Sequence, residues 1–157
     1  MAARTIHQWF AEYGESHQNA TNKLIHWICV PTIYFCVVGL LYSIPSPAFL
    51  AWPFTHVWAK LALIIVTAFY LRTSWPIMLG MLLWSLLCLA LCRFIDLHTS
   101  WPLWAVCAVL FAVAWIGQFY GHHIEGKKPS FLKDLQFLMI GPAWLMGFIY
   151  RRLGIAY

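Results

Sequence analysis

HQNATNKLIHWICVPTIYFCVVGLLYS, residues His17 to Ser43, is the stretch on which the fold turns. It opens with two imidazoles, three carboxamides and a lysine, and from Leu24 as far as Ala59 there is then no Asp, Glu, Lys or Arg. The run from Leu24 to Ser43 is long enough to cross the roughly 30 Å hydrocarbon core of a bilayer as a helix. Thr21 and Asn19 are the candidate N-caps, because a short polar side chain can accept from the free N–H groups of a first turn. Pro31 marks a kink.

Composition places the rest of the chain in the same solvent. Of 157 residues, 62% are hydrophobic and only 10% charged, whereas soluble domains are about 25% charged. A single integral membrane domain over residues 1–157 is expected, with room for one bundle of short-looped helices and none for a separate soluble catalytic domain. The formal charge of +5 does not indicate nucleic acid, because the basic residues are few and stand at the ends of apolar runs, where loop orientation explains them. Cys29, Cys36, Cys88, Cys92 and Cys107 all lie inside apolar runs, which indicates buried thiols rather than disulfides or zinc ligands. No cleavable signal peptide is expected, since the polar Glu12 to Lys23 segment precedes the first long apolar run.

Upstream, Ile6, Trp9, Phe10 and Tyr13 recur at helical spacing and predict a short amphipathic helix over residues 5–13, lying at the membrane surface. Downstream of the first span (24–43), Ile44-Pro45-Ser46-Pro47 is a turn signature. Three Trp-Pro pairs then open spans at 53–71, 75–92 and 101–121. Tryptophan suits the interface, and proline suits the first helical position, where its missing N–H leaves nothing unpaired. Lys60 has to snorkel outward from its span. Arg93 to Ser100 reads as a polar loop and Gly126 to Ser130 as a basic one. Residues 131–150, interrupted by Gly141-Pro142, read as a re-entrant or interfacial pair of half-helices. The expected fold is thus an all-α membrane bundle of four transmembrane helices, with an N-terminal interfacial helix and a C-terminal re-entrant or interfacial segment. Placing both termini in the cytoplasm puts Arg4, Lys23, Arg72, Lys127, Lys128, Lys133, Arg151 and Arg152 inside, and leaves Arg93 and Lys60 outside.

That orientation collects His17, His26, His122 and His123 at the cytoplasmic face and leaves His56 and His98 at the other. Asn22 shares a helix face with His26, and Glu125 shares one with His122. A histidine at a helix end is more often a hydrated interfacial residue than a ligand. Four together, in a chain with only five acids, point instead to function, because ionisable groups are costly in a membrane. Imidazoles with a carboxylate or carboxamide suit non-haem iron, where three facial ligands leave positions open for substrate and oxygen. His17, His26, His122 and His123 are the candidate metal ligands. Glu125 is a further ligand or a group that orients one, and Asn22 positions His26 or a bound water.

Two sequence blocks carry a resemblance. Tyr13-Gly14-x-Ser16-His17-x-Asn19-x-x-Asn22-x-x-Ile25-His26 with Val30-Pro31, and Gln118-Phe119-x-Gly121-His122-x-x-Glu125-x-x-x-Pro129, resemble the signature blocks of the small membrane proteins related to the yeast endoplasmic-reticulum 2-hydroxy fatty acid dioxygenase. The resemblance spans nearly the whole chain. It implies an Fe(II)-dependent enzyme of fatty acid α-oxidation that shortens a 2-hydroxy fatty acid by one carbon, with O2 as co-substrate and membrane lipid as surroundings. It also implies the endoplasmic reticulum in a eukaryote and the cytoplasmic membrane in a bacterium. Two rival readings stand beside it. A membrane di-iron hydroxylase or desaturase would need more histidines on one face and a His-x-x-His-His box, and a haem-binding electron carrier would use axial imidazoles from the first and fourth spans.

Overall fold

The computed structural model describes residues 4–50, 55–126 and 131–157, with side chains from residue 137 onward in the last stretch. Its helices are α1 (Ile6–Gly14), α2 (Ala20–Ser43), α3 (Val57–Thr73), α4 (Trp75–His98), α5 (Leu103–Glu125) and α6 (Phe131–Arg152), with no strand among the described residues. The chain is therefore all-α. Of these helices, α2, α4 and α5 are long and apolar enough to cross a membrane. Their outward faces carry exposed side chains such as Ile28, Leu83, Leu86, Val113 and Ile116, as lipid contact requires. At 17 residues α3 spans about 26 Å, slightly less than a bilayer core. The Trp52-Pro53 pair expected to open it lies outside the described residues.

Local chemistry sets the helix ends. Thr5 and Gln8 form a reciprocal capping box at the start of α1. Asn19 Oδ1 accepts from Thr21 N at 2.8 Å and Asn22 N at 3.3 Å, so α2 begins at Ala20, before the apolar run does. Ser74 caps α4 with Trp75-Pro76 in the first turn, whereas Pro102 is itself the N-cap residue of α5, one position earlier than expected. The helix α4 continues to His98 through the residues read as a polar loop. Charged side chains at an exposed end leave backbone bonding intact, and Thr99 Oγ1 closes the last turn on Ile95 O at 2.8 Å. Gly126, left-handed at φ 70°, ends α5.

The C-terminal segment is corrected most. It is not two half-helices but one continuous helix, α6, with Pro142 inside it. Residues 140–145 are all buried, so packing keeps the helix continuous past the position where the backbone bond is lost. Tyr70 OH donates to Met139 O, and Tyr150 OH donates to Pro76 O at 2.7 Å. Helix α6 thus crosses the bundle at the end where α2 starts, α3 stops and α4 starts. The apolar stripe of α1 packs on it through Tyr13 against Trp144 and Phe137 (ring centroids 5.2 Å in both). That stripe faces protein rather than lipid.

The antiparallel pair α2 and α5 forms the main seam. A methyl at Gly39 would collide with Cys107 Sγ, one at Gly117 would lie 2.7 Å from Cys29 Sγ, and one at Gly121 would collide with Asn22 Oδ1. Between membrane helices there is no hydrophobic drive to associate, so close approach at small residues supplies the attraction through dispersion. Gly39→Ala should lower stability by about 1–3 kcal/mol through overpacking, even after the helix-propensity gain of roughly 1 kcal/mol. Gly14→Ala, whose methyl would meet only Trp144 Nε1 at 3.9 Å, should stay within about 0.5 kcal/mol of the parent. Thermal unfolding of the purified protein in detergent checks both.

Candidate metal centre

Three elements bring three imidazoles together. His17 arrives on the loop between α1 and α2, His26 stands in the second turn of α2, and His122 stands in the last turn of α5. They are 2%, 1% and 8% exposed. Ring centroids are 4.3 Å apart for His17 and His26, 5.3 Å for His17 and His122, and 5.1 Å for His26 and His122. One nitrogen from each lies within 4.8 Å of the others. Nitrogens that share an ion are about 3 to 4 Å apart, so the rings need draw in by no more than about 1 Å.

The outer bonds settle which nitrogen faces inward. His17 Nδ1 lies 2.6 Å from Tyr13 O and His26 Nδ1 lies 2.9 Å from Asn22 O. A carbonyl only accepts, so both Nδ1 atoms carry the proton and both Nε2 atoms carry a lone pair. Those Nε2 atoms are buried with no hydrogen-bond partner in the protein. Leaving a buried acceptor unmade costs about 1–3 kcal/mol, and two side by side are placed to share one electron-pair acceptor. Burial is the largest influence on His17 and drives its pKa down to about 4, against the pull of the Tyr13 carbonyl and aided by His122. At neutral pH the ring is therefore uncharged and able to donate to a metal. Tyr13 stacks on it at 4.1 Å and 12°, fixing its plane.

Glu125 touches none of the three rings through an inward-facing bond. Its carboxylate accepts from Gln18 N at 2.7 Å, Asn19 N at 2.9 Å and Asn22 Nδ2 at 3.0 Å. Asn22 Nδ2 also reaches Ser16 O at 3.3 Å. The loop that bears His17 is thereby tied to the end of α5, and Asn22 joins that clamp to His26 through its backbone carbonyl. His123, one residue on and about 100° round the helix, is exposed and stands outside the group of three. His56 and His98 sit at the far ends of the helices, each with Nδ1 on a backbone carbonyl at 2.9 Å.

The three rings line a cavity of about 40 Å³, counted as the space open to the centre of a water molecule. Ile33, Leu138 and Phe119 give it an apolar side, and Gln118 and Trp115 give it polar groups. Sequence reasoning missed these last two. They stand four and seven residues before His122, on the same stripe of α5, and that spacing was the available signal. Three buried imidazoles in one group fit a divalent transition-metal ion. A porphyrin finds no room in such a volume, which argues against the haem reading.

Glu125→Ala should weaken metal binding roughly 10- to 100-fold, as loss of a group that orients ligands does. His26→Ala should abolish stoichiometric binding, and His123→Ala should leave it within about twofold of the parent. Metal titration of the purified protein, with circular dichroism to confirm retained helix, reads all three.

Comparison with known proteins gives the family. A family model described as 2-hydroxy-palmitic acid dioxygenase Mpo1-like matches residues 3–153. The 2-hydroxy-palmitic acid dioxygenase MPO1 of Saccharomyces cerevisiae is 31% identical over 144 residues, which cover 90% of this chain and 78% of that protein. No solved structure matches. The chain belongs to the Mpo1-like family.

Proposed function

We propose that the chain is a membrane dioxygenase that holds Fe(II) on His17, His26 and His122 and uses O2 to shorten a long-chain 2-hydroxy fatty acid by one carbon. The observation that carries this reading is the pair of buried, unpartnered Nε2 atoms facing one small cavity beside a third imidazole. The name of the yeast relative, a 2-hydroxy-palmitic acid dioxygenase, supplies the substrate class.

Bound iron would supply a Lewis acid and a redox centre for oxygen chemistry. The chain's own residues do the rest. Three neutral rings leave the positive charge of the site uncancelled, so an anionic substrate is drawn to it. Its carboxylate and 2-hydroxyl can form a chelate, and no 2-oxoglutarate is needed to complete the coordination. Tyr13 and Asn22 hold the inner rings in one tautomer, and the Glu125 clamp keeps the His17 loop from drifting. Helices α1 and α6 cover the site and exclude water, which strengthens every electrostatic contact inside it. In this reading α3 is a fourth span and both termini face the cytoplasm, in the endoplasmic reticulum of a eukaryote or the cytoplasmic membrane of a bacterium.

Purified protein with Fe(II) and O2 should release a one-carbon-shorter product from 2-hydroxypalmitate and none from palmitate. Equal turnover of the two acids, or a strict need for 2-oxoglutarate, would overturn the assignment. For topology, cysteines placed at Glu15 and Thr99 should react with an impermeant thiol reagent from opposite sides of sealed vesicles. The native cysteines are all buried and give little background.

A further inference from the structure

Of the two polar groups on the α5 wall, the Gln118 carboxamide stands close enough to His26 to act on that ring, whereas the Trp115 indole has no lone pair to give a metal. Trp115 lines the cavity, and its indole Nε1 is buried with no hydrogen-bond partner. A buried N–H without an acceptor is rare in folded proteins and calls for a ligand, a water or strain to explain it. An indole nitrogen only donates, so whatever meets it must offer a lone pair. Gln118 lies between Trp115 and His122 on the same stripe and lines the same space. The wall facing them from α2 continues below His26 as Val30 and Ile33, both apolar. One side of the cavity therefore offers hydrogen bonds and the other offers only dispersion.

Size decides what can use those donors. About 40 Å³ of space for water centres takes roughly three waters. That is room for a carboxylate, its α-carbon and a hydroxyl, not for a sixteen-carbon chain. Phe119, at 48% exposed, lies where the cavity meets the outer surface of α5, and Ile116 beside it on that surface is 69% exposed. An acyl tail leaving past Phe119 enters lipid directly.

We propose that Trp115 is a positioning residue for substrate: its indole N–H, with the Gln118 carboxamide beside it, hydrogen-bonds an oxygen of the 2-hydroxy acid head, while the tail stays in the bilayer. This rests on the proposed function for the identity of the ligand, but not for the existence of the donor. The enzyme then selects the head and is largely indifferent to the length of the tail. Phe119 and Phe111, with ring centroids 5.5 Å and 6.0 Å from the indole, are the alternative neighbours of the N–H. An indole spent on a ring face would not respond to ligand.

The test uses protein loaded with diamagnetic Zn(II), in nanodiscs and with 15N-labelled tryptophan. The Trp115 indole cross-peak, identified by its loss in Trp115→Phe, should shift downfield on addition of 2-hydroxypalmitate and stay in place with hexadecane. Affinity for 2-hydroxypalmitate should fall about tenfold in Trp115→Phe. Across 2-hydroxy acids of twelve to twenty carbons, at equal mole fraction in the membrane, affinity for the parent protein should vary by less than about threefold. An unmoved indole peak under saturating ligand overturns the inference and leaves the iron reading intact. A shifted peak in a protein that, once loaded with iron, turns over no 2-hydroxy acid leaves the inference standing and removes the reaction. A sharp affinity optimum in chain length shows that the tail is read inside the protein and overturns the head-only site.

Discussion

The close approach of α2 and α5 governs where everything else can be. It depends on Gly39, Gly117 and Gly121, each set against a side chain that would collide with a methyl. At Gly121 that side chain is Asn22, the residue whose backbone holds His26 and whose carboxamide holds Glu125. Packing and site are therefore one arrangement: the glycine that admits α2 also fixes the distance between the rings of His26 and His122 at 5.1 Å. A substitution there would act on the three imidazoles before it acted on the fold.

Burying three histidines is unfavourable, and the surroundings show how it is offset. Two rings satisfy their Nδ1–H on a backbone carbonyl, and burial keeps the His17 ring uncharged against the pull of that bond. Aromatic contact covers the His17 ring, by Tyr13 at 4.1 Å and by Trp144 at 5.6 Å. Trp144 comes from α6, so this helix takes part in covering the His17 ring. Without α6 the cavity would open to water at the end where α2 begins.

Much of this was legible in the residues, because the signals concerned were local. Asn19 caps as its side chain dictates, Trp75-Pro76 opens α4, and the spacing of Ile6, Phe10 and Tyr13 already drew the buried face of α1. What escaped depends on contacts between distant segments. Gly141-Pro142 reads as a break in any window of sequence, and only the packing of Ile140 to Leu145 keeps α6 continuous. The run from Arg93 to His98 reads as a loop by polarity, yet polarity at a helix end says where water begins rather than where the helix stops. His122 and His123 cannot be ranked without knowing which side of α5 meets α2. Trp115 looked like one of many membrane tryptophans until its nitrogen was found buried beside the imidazoles.

The position of Glu125 bears on the kind of substrate the site can accept. As a metal ligand it would have brought a negative charge into the cavity and cancelled part of the attraction for an acid. Instead three N–H groups of Gln18, Asn19 and Asn22 surround it at 2.7 to 3.0 Å, and its charge is spent on holding the loop. The inward-facing set is then purely imidazole among the described residues. On the proposed function, neutral ligands around a dication would leave a net positive pocket at the edge of an apolar bundle, and a species with an anionic head and an apolar tail would fit both surroundings at once. A neutral lipid would gain only the second, and a small soluble acid only the first. On the proposed reading, selectivity for a fatty acid follows from that pairing of charge and depth before any contact along the chain is made.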